Sequence, residues 1–190
     1  MPHPKGSIVS VFGSNAPREG EPGYEEARAL GRRLAQAGYV VATGGYAGTM
    51  EATSRGAKEA GGYAVGVTTS VFDKVRLGPN SYLDEEIKFP TLIQRLYHLV
   101  TLAEAWVALP GGIGTLSEVA LTWSLMQAGE VKRQPFVVVG PTWRRLLQEF
   151  SENDHVRPEF RGLIRYAGGV DDVLSLLGQA DKVHRQQVCR

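Results

Sequence analysis

The sequence predicts a doubly wound α/β fold, with a mainly parallel sheet of about six or seven strands and helices on both faces. Three observations carry this. Short apolar runs alternate with amphipathic stretches along the whole chain. The runs are nearly continuous, not strictly alternating, which is how strands buried on both faces of a parallel sheet read. Glycine-bearing turns follow three of the runs directly, at the strand ends where such sheets bind ligands.

In chain order, the predicted strands are Ser7–Phe12, Tyr39–Ala42, Tyr63–Val67, Trp106–Leu109, Phe136–Val139 and, more weakly, Leu163–Ala167. Helical spacing fills the intervals. Glu25–Ala37 aligns Ala27, Leu30 and Leu34, and Thr49–Ala60 aligns Met50, Ala57 and Ala60 less well. Thr91–Ala103 carries Leu92, Leu96, Leu99, Val100 and Ala103 on one stripe; Leu116–Ala128 carries Leu116, Val119, Ala120 and Trp123. Trp143, Leu146, Leu147 and Phe150 keep the same period, as do Val170, Val173, Leu174 and Leu177. Thr68 to Phe89 is a stretch of 22 residues, both ends included, with no clear period, read as an unusually long connection. Residues 1–180 are expected to form one domain, and 181–190 a polar, frayed tail.

At 190 residues and 20.7 kDa the chain can bury a full core without a staple. Lys plus Arg (21) nearly balances Asp plus Glu (20), so bulk charge points to no nucleic-acid or membrane partner. The single cysteine, Cys189, permits no intramolecular disulfide and suits a reducing cytosol. MPHPKGSIVSVFGS has no apolar signal-peptide core, and no stretch reaches the roughly 18 apolar residues of a membrane span. The reading is a cytoplasmic protein.

The three turns are Gly13-Ser14-Asn15, Thr43-Gly44-Gly45-Tyr46-Ala47-Gly48-Thr49-Met50, and Pro110-Gly111-Gly112-Ile113-Gly114-Thr115. With the common strand order 3-2-1-4-5, the first and fourth predicted strands are neighbours and their ends open the binding crevice. The first and third turns then line it, with the second beside them. Gly111, Gly112 and Gly114 let backbone approach a ligand, and the helix that follows offers free N–H groups and a partial positive charge to a phosphate. No Lys follows, so this is not a P-loop, and its place after the fourth strand excludes the dinucleotide fingerprint.

Two charged residues stand near these turns. Glu118 follows Thr115 at capping-box spacing, as Gln94 follows Thr91, so on spacing alone it reads first as a cap and second as a functional carboxylate. By helical count it faces away from Leu116, at the crevice end. Arg95 falls on the shoulder of its helix's apolar stripe, near the N-terminus. The histidines are scattered; His98, one turn after Arg95, reads more readily as a packed or solvated residue than as a site residue.

Arg95 together with Pro110-Gly-Gly-Ile-Gly-Thr115-Leu-Ser-Glu118 resembles the P-G-G-x-G-T-x-x-E motif of the LOG (Lonely Guy) family, in which an Arg precedes the motif's Pro by the same 15 residues. TGGYAGTMEA, VFGSN, Gln127 and Gly129 extend the likeness over roughly residues 7–178. Here Leu92-Ile93-Gln94-Arg95-Leu96 keeps the family's Arg without its neighbouring His and Lys, and Thr49 replaces a Leu.

The resemblance implies a Rossmann-like fold and a hydrolase that cleaves the N-glycosidic bond of a nucleoside 5′-monophosphate such as AMP, releasing free base and ribose 5-phosphate. It implies Arg95 and Glu118 as catalytic residues, with Glu118 stabilising an oxocarbenium-like centre or activating water. Ser14, Gly44, Gly45, Thr49, Met50, Gly111, Gly112, Gly114 and Thr115 are implied as substrate and phosphate contacts. It also implies a homodimer, and neither metal nor cofactor. Pyridoxal-dependent decarboxylation, a label carried by members of the superfamily, needs a lysine in the crevice, and none of the six lysines falls in these turns. The alternative is a non-catalytic nucleotide or molybdenum-cofactor carrier on the same fold.

Overall fold

The structure is a computed structural model, and it describes residues 6–73 and 78–178. The expected tail 181–190, including Cys189, lies outside the described residues, as do residues 1–5 and 74–77.

Seven strands form one sheet: β1 (Ile8–Phe12), β2 (Val40–Thr43), β3 (Ala64–Thr69), β4 (Glu85–Phe89), β5 (Ala105–Ala108), β6 (Phe136–Val139) and β7 (Ile164–Ala167). Their order is β4-β3-β2-β1-β5-β6-β7, and every pairing is parallel. β1 and β5 are neighbours, with Val9 opposite Ala105 and Phe12 opposite Ala108, so the doubly wound prediction holds.

The helices are α1 (Pro22–Gln36), α2 (Thr49–Glu59), α3 (Leu92–Thr101), α4 (Ile113–Ala128), α5 (Pro141–Ser151) and the short α6 (Pro158–Arg161). One face of the sheet packs Val9, Val11, Val107 and Val137 against Leu30 and Leu34 of α1, Ala52 and Ala57 of α2, and Val173 and Leu177. The other packs Phe12, Val65, Trp106 and Phe136 against Leu99 of α3, Val119 and Met126 of α4, and Trp143 of α5. Continuous apolar strands are needed because both faces are covered. No described helix is long and apolar enough to cross a membrane.

Several expectations are corrected. The aperiodic segment from Thr68 to Phe89 contains an edge strand, β4, where half-buried and exposed positions alternate through Glu85-Glu86-Ile87-Lys88-Phe89. Its charges mask it as loop, because an edge strand has one neighbour and wets every second side chain. Val170–Leu177 divides into a 3₁₀ turn, Val170–Asp172, and helical residues 173–178. In α5, Trp143 and Leu147 are buried but Leu146 and Phe150 are exposed, Phe150 meeting Trp123 edge-on.

The buried stripes of α3 and α4 also differ from prediction. In α3 the buried residues are Arg95, Leu96, Leu99 and Val100, while Leu92 is exposed and Ala103 lies beyond the helix. In α4 they are Thr115, Glu118, Val119, Thr122, Trp123, Leu125 and Met126; Leu116 is half-buried and Ala120 exposed. α4 is apolar nearly all round, so hydrophobic period alone selects the wrong stripe.

Candidate functional site

The crevice forms where β1 and β5 end. Leu109 N–H donates to the Phe12 carbonyl (2.9 Å), holding the two strand ends level. Past Leu109 the chain turns through Pro110-Gly111 into α4, and the Trp143 indole donates to the Leu109 carbonyl (2.9 Å), pinning the turn from α5. Gly112 is the N-cap of α4, in extended conformation and with no side-chain cap. The first intrahelical bond runs from Leu116 N–H to Gly112 O (2.9 Å). The amides of Ile113, Gly114 and Thr115 therefore precede the helix's own hydrogen-bond ladder, at its electropositive end.

This overturns the capping-box reading of Glu118. Thr115 lies inside the first turn and is not the cap, and Glu118 is one turn further along, facing inward. Thr91 does cap α3, its hydroxyl accepting from Gln94 N–H (3.3 Å). From that cap, Arg95 enters the protein interior instead of lying on the shoulder of the stripe. Its Nη1 donates to Glu118 Oε1 (3.0 Å) and its Nε to the Val67 carbonyl at the end of β3 (2.9 Å). Arg95 and Glu118 are each 5% exposed. Sequence reasoning underestimated this burial because the partners are 23 residues apart.

Glu118 Oε2 accepts no hydrogen bond among the described residues. Burial pushes the Glu118 carboxyl above the ordinary carboxylate range; Arg95 pulls it back through charge and hydrogen bond without cancelling the effect. The pair thus leaves one carboxylate oxygen uncommitted and the group holding its proton to higher pH than a surface carboxylate.

A cleft of about 250 Å³ lies over this pair. Ser14, Met50, Gly112, Gly114 and Thr115 line it with Arg95 and Glu118, as do Gly13, Asn15, Phe72, Leu92 and Leu96. Gly44, Gly45, Thr49 and Gly111 lie outside this lining and shape it from behind. A Cβ at Gly44 would overlap the Arg95 guanidinium, so only glycine lets Arg95 reach across to Glu118. Thr49 donates both its N–H (2.8 Å) and its hydroxyl (3.0 Å) to the Ser14 carbonyl, which ties α2 to the first turn. That close approach is made possible by Gly48, at φ +73° with the Ser14–Asn15 backbone against it. Gly45, at φ +79°, offers its carbonyl to Asn80, and Gly111 lies under the Thr115 side chain.

Phe72 and Leu92 were missed, Phe72 because it sits in the stretch read as structureless. His98 is not in the cleft; its ring packs on Phe89 (centroids 4.8 Å apart), and burial lowers its pKa. Among the described residues no group of three or more His, Cys, Asp or Glu could hold a metal ion.

A cytokinin riboside 5′-monophosphate phosphoribohydrolase of Mycobacterium marinum is 30% identical over 173 residues, 87% of this chain and 90% of its own. Among solved structures, the molybdenum cofactor carrier protein of Chlamydomonas reinhardtii matches with a TM-score of 0.71 at 26% identity, covering 93% of this chain and 98% of its own. The molybdenum cofactor binding protein of Rippkaea orientalis shares the fold, with a TM-score of 0.72 at 24% identity over 92% of this chain and 97% of its own. Residues 6–139, which hold β1 to β6 and the whole cleft, match the model of the SLOG cluster4 family. With that match and the relative from Mycobacterium marinum in agreement with the P-G-G-x-G-T-x-x-E resemblance, the chain belongs to the SLOG cluster4 family.

Proposed function

We propose that this protein hydrolyses the N-glycosidic bond of a nucleoside 5′-monophosphate, giving free base and ribose 5-phosphate. The observation that carries the reading is the buried Arg95–Glu118 pair beneath a cleft with an uncapped helix N-terminus in its wall. The phosphate sits at the amides of Ile113, Gly114 and Thr115, where the α4 dipole favours an anion. Ser14 and Met50 flank the ribose. Oε2 of Glu118 faces the developing positive charge at C1′ as the bond to the base lengthens. Water adds to C1′, its proton passing to the carboxylate, and the departing base nitrogen is protonated in turn, so that one water is consumed per bond broken. Arg95 fixes the carboxylate through Oε1 and leaves Oε2 to act.

The enzyme is distinguished from a carrier by using the phosphate as an anchor. Binding energy from the 5′-phosphate positions C1′ against Glu118, so removing it lowers turnover and not affinity alone. Adenosine should be cleaved at least about 100-fold more slowly than AMP, by chromatography of released adenine. Tight binding of AMP with no adenine after prolonged incubation would establish the carrier instead.

The proposed assembly is a homodimer through α3 and α4. Ile93 and Ile113 are 74% and 79% exposed at the N-terminal ends of these helices, beside the exposed Leu92 and Tyr97. Light scattering at micromolar concentration should give about twice 20.7 kDa, and a mass of one chain would refute the dimer.

A further inference from the structure

We propose that Phe72 is the wall on which the base of the substrate stacks, making the β3 end of the cleft a subsite for a planar heterocycle. The inference rests on the reading of the cleft as a nucleoside monophosphate site.

Direction comes from topology. The phosphate amides open from β5, and Phe72 lies three residues past the end of β3, with β1 and β2 between. At roughly 4.8 Å per strand, the two ends of the cleft are about 14 Å apart, the scale of an extended nucleoside monophosphate. Arg95 spans the middle, holding the Val67 carbonyl of β3 on one side and Glu118 of α4 on the other. With the phosphate at α4 and C1′ at Glu118, the glycosidic bond points towards β3. The lining there changes from backbone amides to Phe72, Leu92 and Leu96. An apolar wall with an aromatic ring suits a base, whose faces stack favourably whatever its edge pattern.

The ring is also held in place before any ligand arrives. The Tyr46 hydroxyl accepts from Thr69 N–H (2.9 Å) and donates to the Thr69 carbonyl (3.0 Å), bracketing one residue of β3. The Tyr46 ring meets Phe72 edge-on, with centroids 5.6 Å apart. Thr69 Oγ1 accepts from Val71 N–H (3.3 Å), capping the 3₁₀ turn that carries Phe72, and Asp73 pairs with Lys88 of β4 (2.8 Å). A ring so positioned loses little freedom on stacking, which favours affinity.

The test compares wild type, Phe72→Ala, Phe72→Trp and the exposed neighbour variant Val71→Ala on AMP, UMP and ribose 5-phosphate. Binding is measured by calorimetry and base release by chromatography. Phe72→Ala should weaken AMP about tenfold, about 1.4 kcal/mol, and UMP less. Ribose 5-phosphate, which has no base, should bind within twofold of wild type. Phe72→Trp should recover most of the AMP affinity, and Val71→Ala should match wild type. Equal loss for AMP and ribose 5-phosphate, or unchanged AMP affinity in Phe72→Ala, would overturn the stacking wall. If wild type binds AMP without releasing adenine, the hydrolase reading fails while the Phe72 comparison still decides the subsite. Failure of both AMP and ribose 5-phosphate to bind would overturn both.

Discussion

Glu118→Gln is expected to release base about 10²- to 10⁴-fold more slowly than wild type while remaining folded. Gln keeps an oxygen that can accept from Arg95 Nη1, so the guanidinium is not left without a hydrogen-bond partner. Gln still removes the counter-charge, so some stability is lost; Glu118→Ala removes the acceptor as well and should cost more, about 3–5 kcal/mol. The pH behaviour follows from the raised carboxyl pKa. Catalysis through an ionised Glu118 fails as pH falls, with its inflection above the ordinary carboxylate value. For stability the sign is opposite: a native pKa above the unfolded one gives a contribution that is complete below the unfolded pKa and is lost as pH rises through the native one. Gln does not titrate, so the variant should compare better with wild type at pH 7 than at pH 4. Wild-type turnover in Glu118→Gln would remove the carboxylate from the mechanism.

The second large effect is a rescue of stability without function. Arg95→Ala alone should lose both activity and about 3–5 kcal/mol, because it leaves Glu118 buried without its cation. Replacing both partners, Arg95→Met with Glu118→Leu, should restore stability to within about 2 kcal/mol of wild type, since buried pairs are often matched by apolar residues of similar volume. The residual cost is the Val67 carbonyl, which loses its donor. Urea titration measures the stabilities, and base release from AMP should stay undetectable in the double variant. A double variant no more stable than Arg95→Ala would mean that apolar residues cannot replace the pair and that the fold itself requires it.

How much of this was legible in the sequence depends on the range of each interaction. Phe136–Val139 was placed to the residue, because a strand covered on both faces has to be apolar throughout. β4 was hidden for the complementary reason: Glu85, Glu86 and Lys88 belong to a strand with one neighbour, and their chemistry reads as loop. The α4 start was misplaced from Ile113 to Leu116 because Gly112 and Gly114 blur a helix boundary, and Thr115 offers a cap that the fold does not use. Gly112 and Gly114 of the cleft were legible from their place after a predicted strand, and Arg95 and Glu118 were singled out by the family resemblance. Their ion pair was not, since a 3.0 Å contact between two helices depends on how each rotates about its axis. Gly44, expected beside the substrate, makes room for Arg95, a steric requirement that no local pattern records.

The outer margin of β4 has a consequence for how copies of this protein can meet. A parallel sheet that stops at an open strand presents unpaired amides and carbonyls to any similar strand in solution, and unchecked pairing of that kind leads to fibrils. Glu86 and Lys88 stand exposed on this margin, and Glu85 is only half-covered. A second copy arriving here would have to desolvate three ionic side chains within four residues before its first backbone bond formed. Growth of the sheet from one molecule into the next is thereby disfavoured at this border, which works against runaway polymerisation.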